Sequence, residues 1–317
     1  MAMLMEQLLS GLRAAGEPTR LRLLALCAYG ELSVSELTQI LGQSQPRVSR
    51  HLKLLVEAGL LERFREGAQV YYRIAERTEA AQLARTLVDL LPAEDTELNR
   101  DLQRLDQIKQ KRADVALNYF RENAAHWNQI RALHVPEASL EREFLEVIGD
   151  APIADFLDIG TGTGRLLELV AERTERGMGI DLSQEMLTVA RANLERASLR
   201  NVHVRQADMY NMPVADSSVD LATLHLVLHY SDDPASVIEE AARVLRPGGR
   251  LVIVDFATHN EEHLRLEHKH HRLGFDDAEI QNWFAQNKLN STLSRDLEGD
   301  PLTVKIWQGT RDDLVTH

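Results

Sequence analysis

The fold of the longer part of this chain is decided by one stretch, Phe156-Leu157-Asp158-Ile159-Gly160-Thr161-Gly162-Thr163-Gly164-Arg165-Leu166-Leu167. Its pattern predicts an apolar strand that ends in an acid, followed by three alternating glycines at the opening of a helix. Glycines let the backbone approach a ligand closely, and the N–H groups at a helix start favour a carboxylate or a phosphate. The stretch therefore predicts a ligand site at the carboxyl end of a strand.

The spacing of these glycines differs from that of a dinucleotide-binding loop. That fingerprint has its third glycine five places after the first. Here Gly160, Gly162 and Gly164 are spaced by two, and Arg165 occupies the dinucleotide position. A glycine loop alone is weak evidence, so the acids after the next strands matter more.

Two further acids follow the next two predicted strands. Asp181 stands where a carboxylate accepts both ribose hydroxyls, of NAD or of S-adenosylmethionine (SAM) alike. Asp208 closes the third strand, where it can receive an adenine amino group while Met209 packs on the ring. Each acid alone is more often an exposed loop or cap residue. The ordered set with Asp158 favours an adenosyl ligand without phosphates.

Strands and helices alternate along this part of the chain. The predicted strands are 153–159, 176–181, 201–206, 219–226 and 250–256, and a terminal hairpin is predicted at 291–294 and 302–308. The predicted helices are 163–174, 184–196, 234–245 and 260–287, the last broken near Gly274. This alternation predicts an α/β domain with a mainly parallel sheet covered by helices.

The N-terminal part predicts a helix-turn-helix, with helices at 33–41 and 46–58 around a tight turn. Pro46 suits the first turn of a helix because its missing N–H would have no partner there. An apolar stripe and a basic face lie on opposite sides of the second helix, and the ribbon after it adds Arg63, Arg65 and Arg73. The candidate DNA-binding residues are Ser44, Gln45, Arg47, Arg50, His51, Lys53 and Arg65. The alternative is an ordinary helical hairpin with a solvated basic face.

Charge divides the chain in the same way. Residues 1–77 carry a net charge of +2 and residues 78–317 a net charge of −15, which gives −13 overall. A weakly basic module is thus joined to an acidic one. Cys27 is the single cysteine, so disulfides within the chain and multi-thiolate metal sites are excluded. No apolar run is long enough for a membrane helix and no secretory signal is recognised, so we expect a cytoplasmic protein.

The N-terminal part resembles the ArsR-type winged-helix repressors. The resemblance rests on PTRLRLL (18–24), SRHLKLL (49–55), AGLL (58–61) and the VYY wing (70–72). It implies binding to double-stranded operator DNA as a homodimer, with dimerisation through the first helix and the helix at 79–91. Metal-sensing members carry paired cysteines where this chain has Ser33 and Ser35, so the resemblance transfers DNA binding but no metal site.

The C-terminal part resembles the class I SAM-dependent methyltransferases, particularly those of quinone biosynthesis. Further matching residues are VDL (219–221), LVLHY (226–230), DP (233–234) and VLRPGGRL (244–251). The resemblance implies a Rossmann-like, seven-stranded sheet whose last hairpin provides the antiparallel strand. It places Asp158 and the Gly160–Gly164 loop at the methionine end of SAM or S-adenosylhomocysteine and Asp181 at the ribose. It places Asp208 and Met209 at the adenine, Leu226 near the sulfonium, and Leu182 among the cofactor-binding residues.

Together these patterns predict three segments. They are a winged-helix DNA-binding and dimerisation domain at 1–92, a helical linker or lid at 93–145, and a SAM-binding domain at 146–317. The strongly charged helix at 96–123 is interpreted as a spacer rather than part of a core. Trp127, with Tyr119 and Phe120, is a candidate to close over SAM, although a core role is commoner.

The residues for catalysis are less defined. Methyl transfer needs a general base only if the acceptor must lose a proton, and the candidates are His225, His229 and Tyr230, with Asp255 nearby. Each is more often structural, and the small-molecule acceptor stays unnamed. Arsenite is disfavoured because one cysteine cannot supply a thiol cluster.

A histidine-rich stretch follows the last parallel strand. His263, Glu267 and His271 share one helical face at a spacing that suits zinc. The commoner explanation is a solvated helix over the mouth of the site, so no metal is predicted there.

Three functions fit this combination. The leading one is a transcriptional regulator, a repressor, whose methyltransferase-like domain binds SAM or S-adenosylhomocysteine as effector. The second is a working small-molecule methyltransferase that regulates its own expression through the winged helix. The third, a nucleic-acid methyltransferase, ranks lowest because His225-Leu226-Val227-Leu228 stands where adenine-methylating enzymes have their tetrapeptide.

Overall fold

The computed structural model describes residues 4–66, 69–75, 79–111, 136–264 and 270–312. Its contacts divide the chain into two compact units, Met1–Asp114 and Val115–His317, and each is described here by itself. None of the helices within the described ranges is both long enough and apolar enough to cross a membrane. The segment boundaries predicted at 92 and 145 stay predictions.

The first unit is a winged helix. Its helices are α1 (Met5–Ala15), α2 (Pro18–Cys27), α3 (Val34–Leu41), α4 (Gln45–Glu57), α5 (Glu79–Asp89) and α6, whose described part is 96–111. Its strands are β1 (Leu32–Ser33), β2 (Leu61–Glu66) and β3 (Gln69–Ile74), in the sheet order β1-β3-β2. All pairings are antiparallel.

Local chemistry fixes the helix-turn-helix. Ser33 caps α3: its hydroxyl accepts from the Glu36 N–H at 3.3 Å, and the Glu36 carboxylate accepts from the Ser33 N–H at 2.7 Å. Gly42, with φ of 63°, ends α3 in the left-handed conformation, and Pro46 opens α4. The predicted helices at 33–41 and 46–58 and the ribbon after them are confirmed within a residue or two.

The α6 helix differs from its interpretation as a spacer. Leu105 and Ile108 are buried in the same apolar core as Leu52 and Leu55 of α4. The described part of α6 therefore packs into the core of the winged helix. The remainder of the predicted helix, 112–123, lies outside the described residues, as do Tyr119, Phe120 and Trp127.

The second unit is a three-layer α/β fold around one sheet. Its strands are β4 (Ile153–Ile159), β5 (Thr174–Asp181), β6 (Val202–Gln206), β7 (Val219–His225), β8 (Leu245–Phe256), β9 (Leu289–Leu297) and β10 (Val304–Arg311). Its α-helices are α7 (Glu137–Ile148), α8 (Arg165–Val170), α9 (Gln184–Arg196), α10 (Pro234–Val244) and α11 (Asp277–Gln286).

The order of the seven strands is β6-β5-β4-β7-β8-β10-β9, parallel from β6 to β8, with β10 antiparallel to both of its neighbours. The seven strands and the antiparallel strand of the terminal hairpin are those that the resemblance implied. Two apolar clusters fill the faces of the sheet, around Leu167 and Phe144 on one side and around Leu224 and Trp307 on the other.

The topology also places the site. The chain runs from β4 outward to β5 and β6, then returns to β7 on the other side of β4. Connections leave in opposite directions at β4 and β7, and ligands bind at such a switch point, outside the carboxyl ends of the strands. The acid-glycine stretch follows β4 and therefore lies there.

The prediction of a helix over 260–287 is partly wrong. Of the described residues in this range, α11 forms a regular helix. Residues 270–275 instead return to the end of β8, where Phe275 forms a β-bridge with Ala257. Gly274 makes this return with φ of 78°, and a Cβ there would lie 2.1 Å from the Ala257 carbonyl oxygen. The break near Gly274 is thus enforced by close packing of backbone on backbone.

Candidate functional site

The glycine loop after β4 has an open side and a packed side. Gly160, Gly162 and Gly164 all have positive φ, at 73°, 53° and 79°. A Cβ on Gly160 would meet Val227 at 2.4 Å, whereas a Cβ on Gly162 would meet nothing within 4 Å. At Gly160 the loop therefore packs against Val227, which follows β7. At Gly162 it leaves space for a ligand.

Asp181, at the end of β5, ties this loop to the start of α9. Its two carboxylate oxygens accept from the N–H groups of Gly162 and Ser183, each at 2.9 Å. Each oxygen keeps a second lone pair for a hydroxyl donor. Leu182 beside it is 69% exposed, which leaves an apolar surface next to the carboxylate.

Asp208 and Met209 lie after β6. The Asp208 side chain is exposed, and one of its oxygens accepts from the Tyr210 N–H at 3.0 Å. Met209 is half-buried against the core. The Tyr210 hydroxyl bonds Ser231 at 2.7 Å, which holds this loop to the loop after β7. These residues can offer a polar acceptor and a soft apolar face to one flat ring.

Asp158 is the buried acid of the site. It is 1% exposed, and the Thr223 hydroxyl donates to it at 2.7 Å. Burial and, to a smaller extent, the nearby Asp181 charge raise the pKa of Asp158, the hydrogen bond from Thr223 lowers it, and the net value is about 6. At neutral pH the buried carboxylate is ionised, and this charge lowers the stability of the folded state. The ammonium group of a ligand would offset that loss.

We expect Asp158→Asn to stabilise the ligand-free chain at pH 7. A carboxyl whose pKa rises from 3.8 to about 6 makes the folded state less stable by about 3 kcal/mol once ionised, as an upper bound. Well below pH 3.8 the group is protonated in both states, so the gain is absent there. It grows as the pH rises towards 6 and then levels off. Asparagine keeps the oxygen that accepts from Thr223.

Denaturant unfolding of parent and variant between pH 4 and pH 7.5 measures this. Asp208→Asn is the matched control, because its acid is exposed and its removal should leave the unfolding free energy nearly unchanged. A difference between Asp158→Asn and the parent that does not vary with pH would contradict the assignment of the buried charge.

Leu226 marks the end of β7 with a strained backbone. Its φ is 51°, in the left-handed region that a leucine rarely adopts, while its N–H donates to the Val254 carbonyl at 2.7 Å. Such strain persists only where surrounding structure enforces it, and it is commonest at ligand sites. Leu226, predicted to lie near the sulfonium, thus follows β7 directly with an unusual backbone conformation.

The candidate bases are placed differently from one another. His229 is buried, and its Nδ1 lies 2.8 Å from an oxygen of Asp255, which is itself fully buried. The Tyr230 ring lies tilted against that of His229 with ring centroids 4.1 Å apart, and partial burial raises the pKa of Tyr230. His225 instead packs edge-on against Phe144 of α7. The structure thus joins His229, Tyr230 and Asp255 in one group.

Two further side chains belong to this group, and of these Phe256 was not singled out from the sequence. The His270 ring lies 4.1 Å from the His229 ring, and Phe256 lies 5.1 Å from it. His270 belongs to the histidine-rich stretch, some of whose histidines the sequence predicts at the acceptor pocket, and the return of the chain at Gly274 brings it back to the sheet.

The zinc spacing can be followed only in part. His263 pairs with Glu261 at 3.3 Å, and His271 pairs with Asp232, while Glu267 lies outside the described residues. No group of three metal-ligating side chains occurs within the part of the chain that the structure describes.

The basic face of the winged helix is exposed as predicted on α4. Val48, Leu52 and Leu55 are buried, and the exposed candidates are Ser44, Gln45, Arg47, Arg50, Lys53 and, on β2, Arg65. His51 is an exception, because it lies half-buried, 3.5 Å from the carboxylate of Glu17, which caps α2. A helix whose apolar face is buried against its own domain and whose opposite, cationic face is exposed can lie in a DNA groove.

Arg73 corrects the prediction of a third cation on the ribbon. It is 8% exposed and pairs with Glu31 at 3.3 Å and with Glu62. Both partners neutralise it inside the unit, so it is held away from solvent.

Comparison with known families agrees with both units. Residues 17–63 match the family of bacterial regulatory proteins described as arsR, and residues 157–253 match a methyltransferase domain. The chain joins an ArsR-family regulatory domain to a methyltransferase domain. The ArsR match covers α2 to β2, and the methyltransferase match covers β4 to β8, including the glycine loop.

Individual relatives share parts of this arrangement. An uncharacterized 37.1 kDa protein in a transposon of Streptomyces fradiae is 32% identical over 60% of this chain and 56% of its own length. An arsenite methyltransferase of Halobacterium salinarum is 34% identical over 33% of this chain and 28% of its own. The matches thus span about half, or less, of these relatives.

Among solved structures, a methyltransferase-like protein of Bacillus halodurans superposes with a TM-score of 0.50 and 17% identity. The match covers 55% of this chain and 99% of that one. At this identity the likeness shows the fold of the second unit alone.

Proposed function

We propose that this ArsR–methyltransferase chain is a DNA-binding transcriptional regulator, a repressor, whose methyltransferase domain binds SAM or S-adenosylhomocysteine as effector. The observation that carries the proposal is the presence, on one polypeptide, of an exposed cationic recognition helix and of an open nucleoside-type site. The site combines the space at Gly162 with the acids Asp158, Asp181 and Asp208 at three successive strand ends.

Each acid has a proposed partner on the ligand. Asp181 receives the ribose hydroxyls beside Leu182, and Asp208 receives the adenine amino group while Met209 packs on the ring. Asp158 faces the ammonium of the methionine end, close to the strained Leu226. Hydroxyl and ammonium donors suit carboxylate acceptors, and no phosphate is needed.

This chain lacks the paired cysteine thiols with which metal-sensing regulators of this type detect their ligand. Ser33 and Ser35 replace the thiols of metal sensors, and the Ser33 hydroxyl is engaged as the cap of α3. Cys27 is buried, and burial raises its pKa far above the ordinary range, so it stays a neutral thiol. The adenosyl site is therefore the proposed input.

We propose a homodimer on an inverted repeat. The α1 helix leaves Leu4 and Met5 66% and 71% exposed and Leu9 and Leu12 each 42% exposed. Apolar side chains this exposed along one helix favour burial against a second copy. Two-fold symmetry would place the two α4 helices on half-sites about one helical turn, or a multiple of it, apart.

A titration of operator affinity tests the proposal. We expect operator Kd with no ligand, with saturating SAM and with saturating S-adenosylhomocysteine to differ by about 5–150-fold between the extremes. An effector must bind the DNA-competent and DNA-incompetent forms with different affinities. Because coupling is reciprocal, operator DNA must change ligand affinity by the same factor. Three coincident curves would contradict the sensor role.

A second function, a working small-molecule methyltransferase that regulates its own expression, is favoured by the His229–Asp255 pair. In the tautomer whose Nδ1–H donates to the carboxylate, Nε2 of His229 is the nitrogen that can take a proton from an acceptor hydroxyl. SAM, held at the glycine loop, would supply the methyl group, and its sulfur would keep the electron pair of the broken C–S bond. Coincident operator curves together with methyl transfer would favour this function.

A further inference from the structure

The α6 helix is bonded into the DNA-binding unit at three points. On α2, Arg22 grips the fully buried Asp101 with two hydrogen bonds, of 2.5 and 2.9 Å, and reaches Glu97 at 2.6 Å. Paired, two-pronged contacts of this kind fix orientation as well as position. A rotation of α6 would therefore have to move α2 or break a buried ion pair.

The second point is the helix-turn-helix itself. Arg104 of α6 donates to the carbonyl of Ile40 at 2.7 Å, in the last turn of α3. Carbonyls at a helix end have no partner within the helix, and a cation is favourable there. A Cβ on Gly42 would lie 3.8 Å from the Arg104 guanidinium, so this group also borders the turn between α3 and α4.

The third point is apolar. Leu105 and Ile108 are 2% and 5% exposed in the core that also holds the back of α4. Lys109 lies over the ring of Tyr29, 5.7 Å from its centroid. The described part of α6 thus contacts α2, α3 and the core behind α4 at once.

The position of α6 in the chain gives these contacts a consequence. The first unit ends at Asp114, so the covalent path from the ligand-binding unit enters the winged helix through α6. We propose that α6 transmits the ligand state to the recognition helix, and that Arg104 is the contact through which a movement of α6 reaches the α3–α4 turn. This inference rests on the proposed effector role.

The test compares the full-length parent with Arg104→Ala, with S-adenosylhomocysteine and SAM as ligands. We expect the variant to bind both ligands as the parent does, within about twofold, and to bind operator. Its operator affinity should no longer respond to ligand: the ratio of about 5–150 expected for the parent should fall to within about twofold of 1. Arg100→Ala, an exposed arginine on the same helix, should keep the ratio of the parent.

The outcomes separate the two ideas. A parent whose operator affinity ignores both ligands defeats the proposed function, and this inference with it. A responsive parent with an equally responsive Arg104→Ala variant overturns only the inference. If that variant does not fold, Arg104→Lys replaces it and hydrogen exchange of the parent decides. Ligand should then change amide protection in both α3 and α6, and a change confined to the ligand-binding unit overturns the inference.

Discussion

Gly162→Asn is expected to lower the affinity for SAM and S-adenosylhomocysteine by about 100-fold or more while the chain stays folded. Asparagine is among the few L residues that tolerate positive φ, so the backbone angle of 53° at this position can be kept. Its side chain has no protein atom to meet within 4 Å of the Cβ, and it would occupy the space assigned to the ligand. Calorimetric titration with both ligands, after a thermal melt, measures the change.

The matched control is Gly42→Asn in the other unit. Gly42 has a similar φ of 63° as the cap of α3, where asparagine is also accepted. That variant should bind the ligands as the parent does. Gly160→Asn should behave differently again, because its Cβ would strike Val227 and the protein should lose stability. Full ligand affinity in Gly162→Asn would place the ligand elsewhere.

The double variant Arg47→Ala, Arg50→Ala is expected to lose about 100-fold in operator affinity. Both side chains are exposed near the start of α4, and each contact of an arginine with a base or phosphate contributes about 1–3 kcal/mol. The dependence of affinity on salt should also become shallower, because fewer counterions are released. Fluorescence anisotropy with an operator duplex at several salt concentrations measures both effects.

Arg142→Ala provides the control for net charge. It removes an exposed arginine from α7 of the second unit and should leave operator binding nearly unchanged. Equal losses in both variants would mean that overall charge, and not the α4 face, attracts DNA. Undiminished binding by the double variant would remove α4 from the DNA interface.

Much of the site was predictable because its signals are local in sequence. The glycines, the acid before them and the acids after the next strands each lie within a few residues of a strand end. Parallel strands then bring those ends to one edge of the sheet, so order along the chain becomes proximity in space. The helix-turn-helix was predictable for the same reason, since the cap at Ser33, the turn at Gly42 and Pro46 are consecutive local features.

The partners of charged groups were not predictable in this way. The sequence places Arg73 among the cations of the ribbon, whereas in the structure it pairs with Glu31, 42 positions away in the chain. The bond between His229 and Asp255 spans 26 positions, and that between Arg22 and Asp101 spans 79. Separations of this size along the chain follow no helical or strand period, so no sequence pattern predicts these pairs.

The sequence by itself determined the two kinds of domain, the order of the strands' terminal acids and the absence of a thiol sensor, because these depend on residue identity and short spacing. Only the tertiary structure decided which charges are buried. It encloses Asp158 and so raises its pKa, leaves Gly162 open while Gly160 is packed, and inserts α6 into the winged-helix core. Burial depends on what other segments of the chain pack against a residue, and that becomes fixed only when the whole fold has formed.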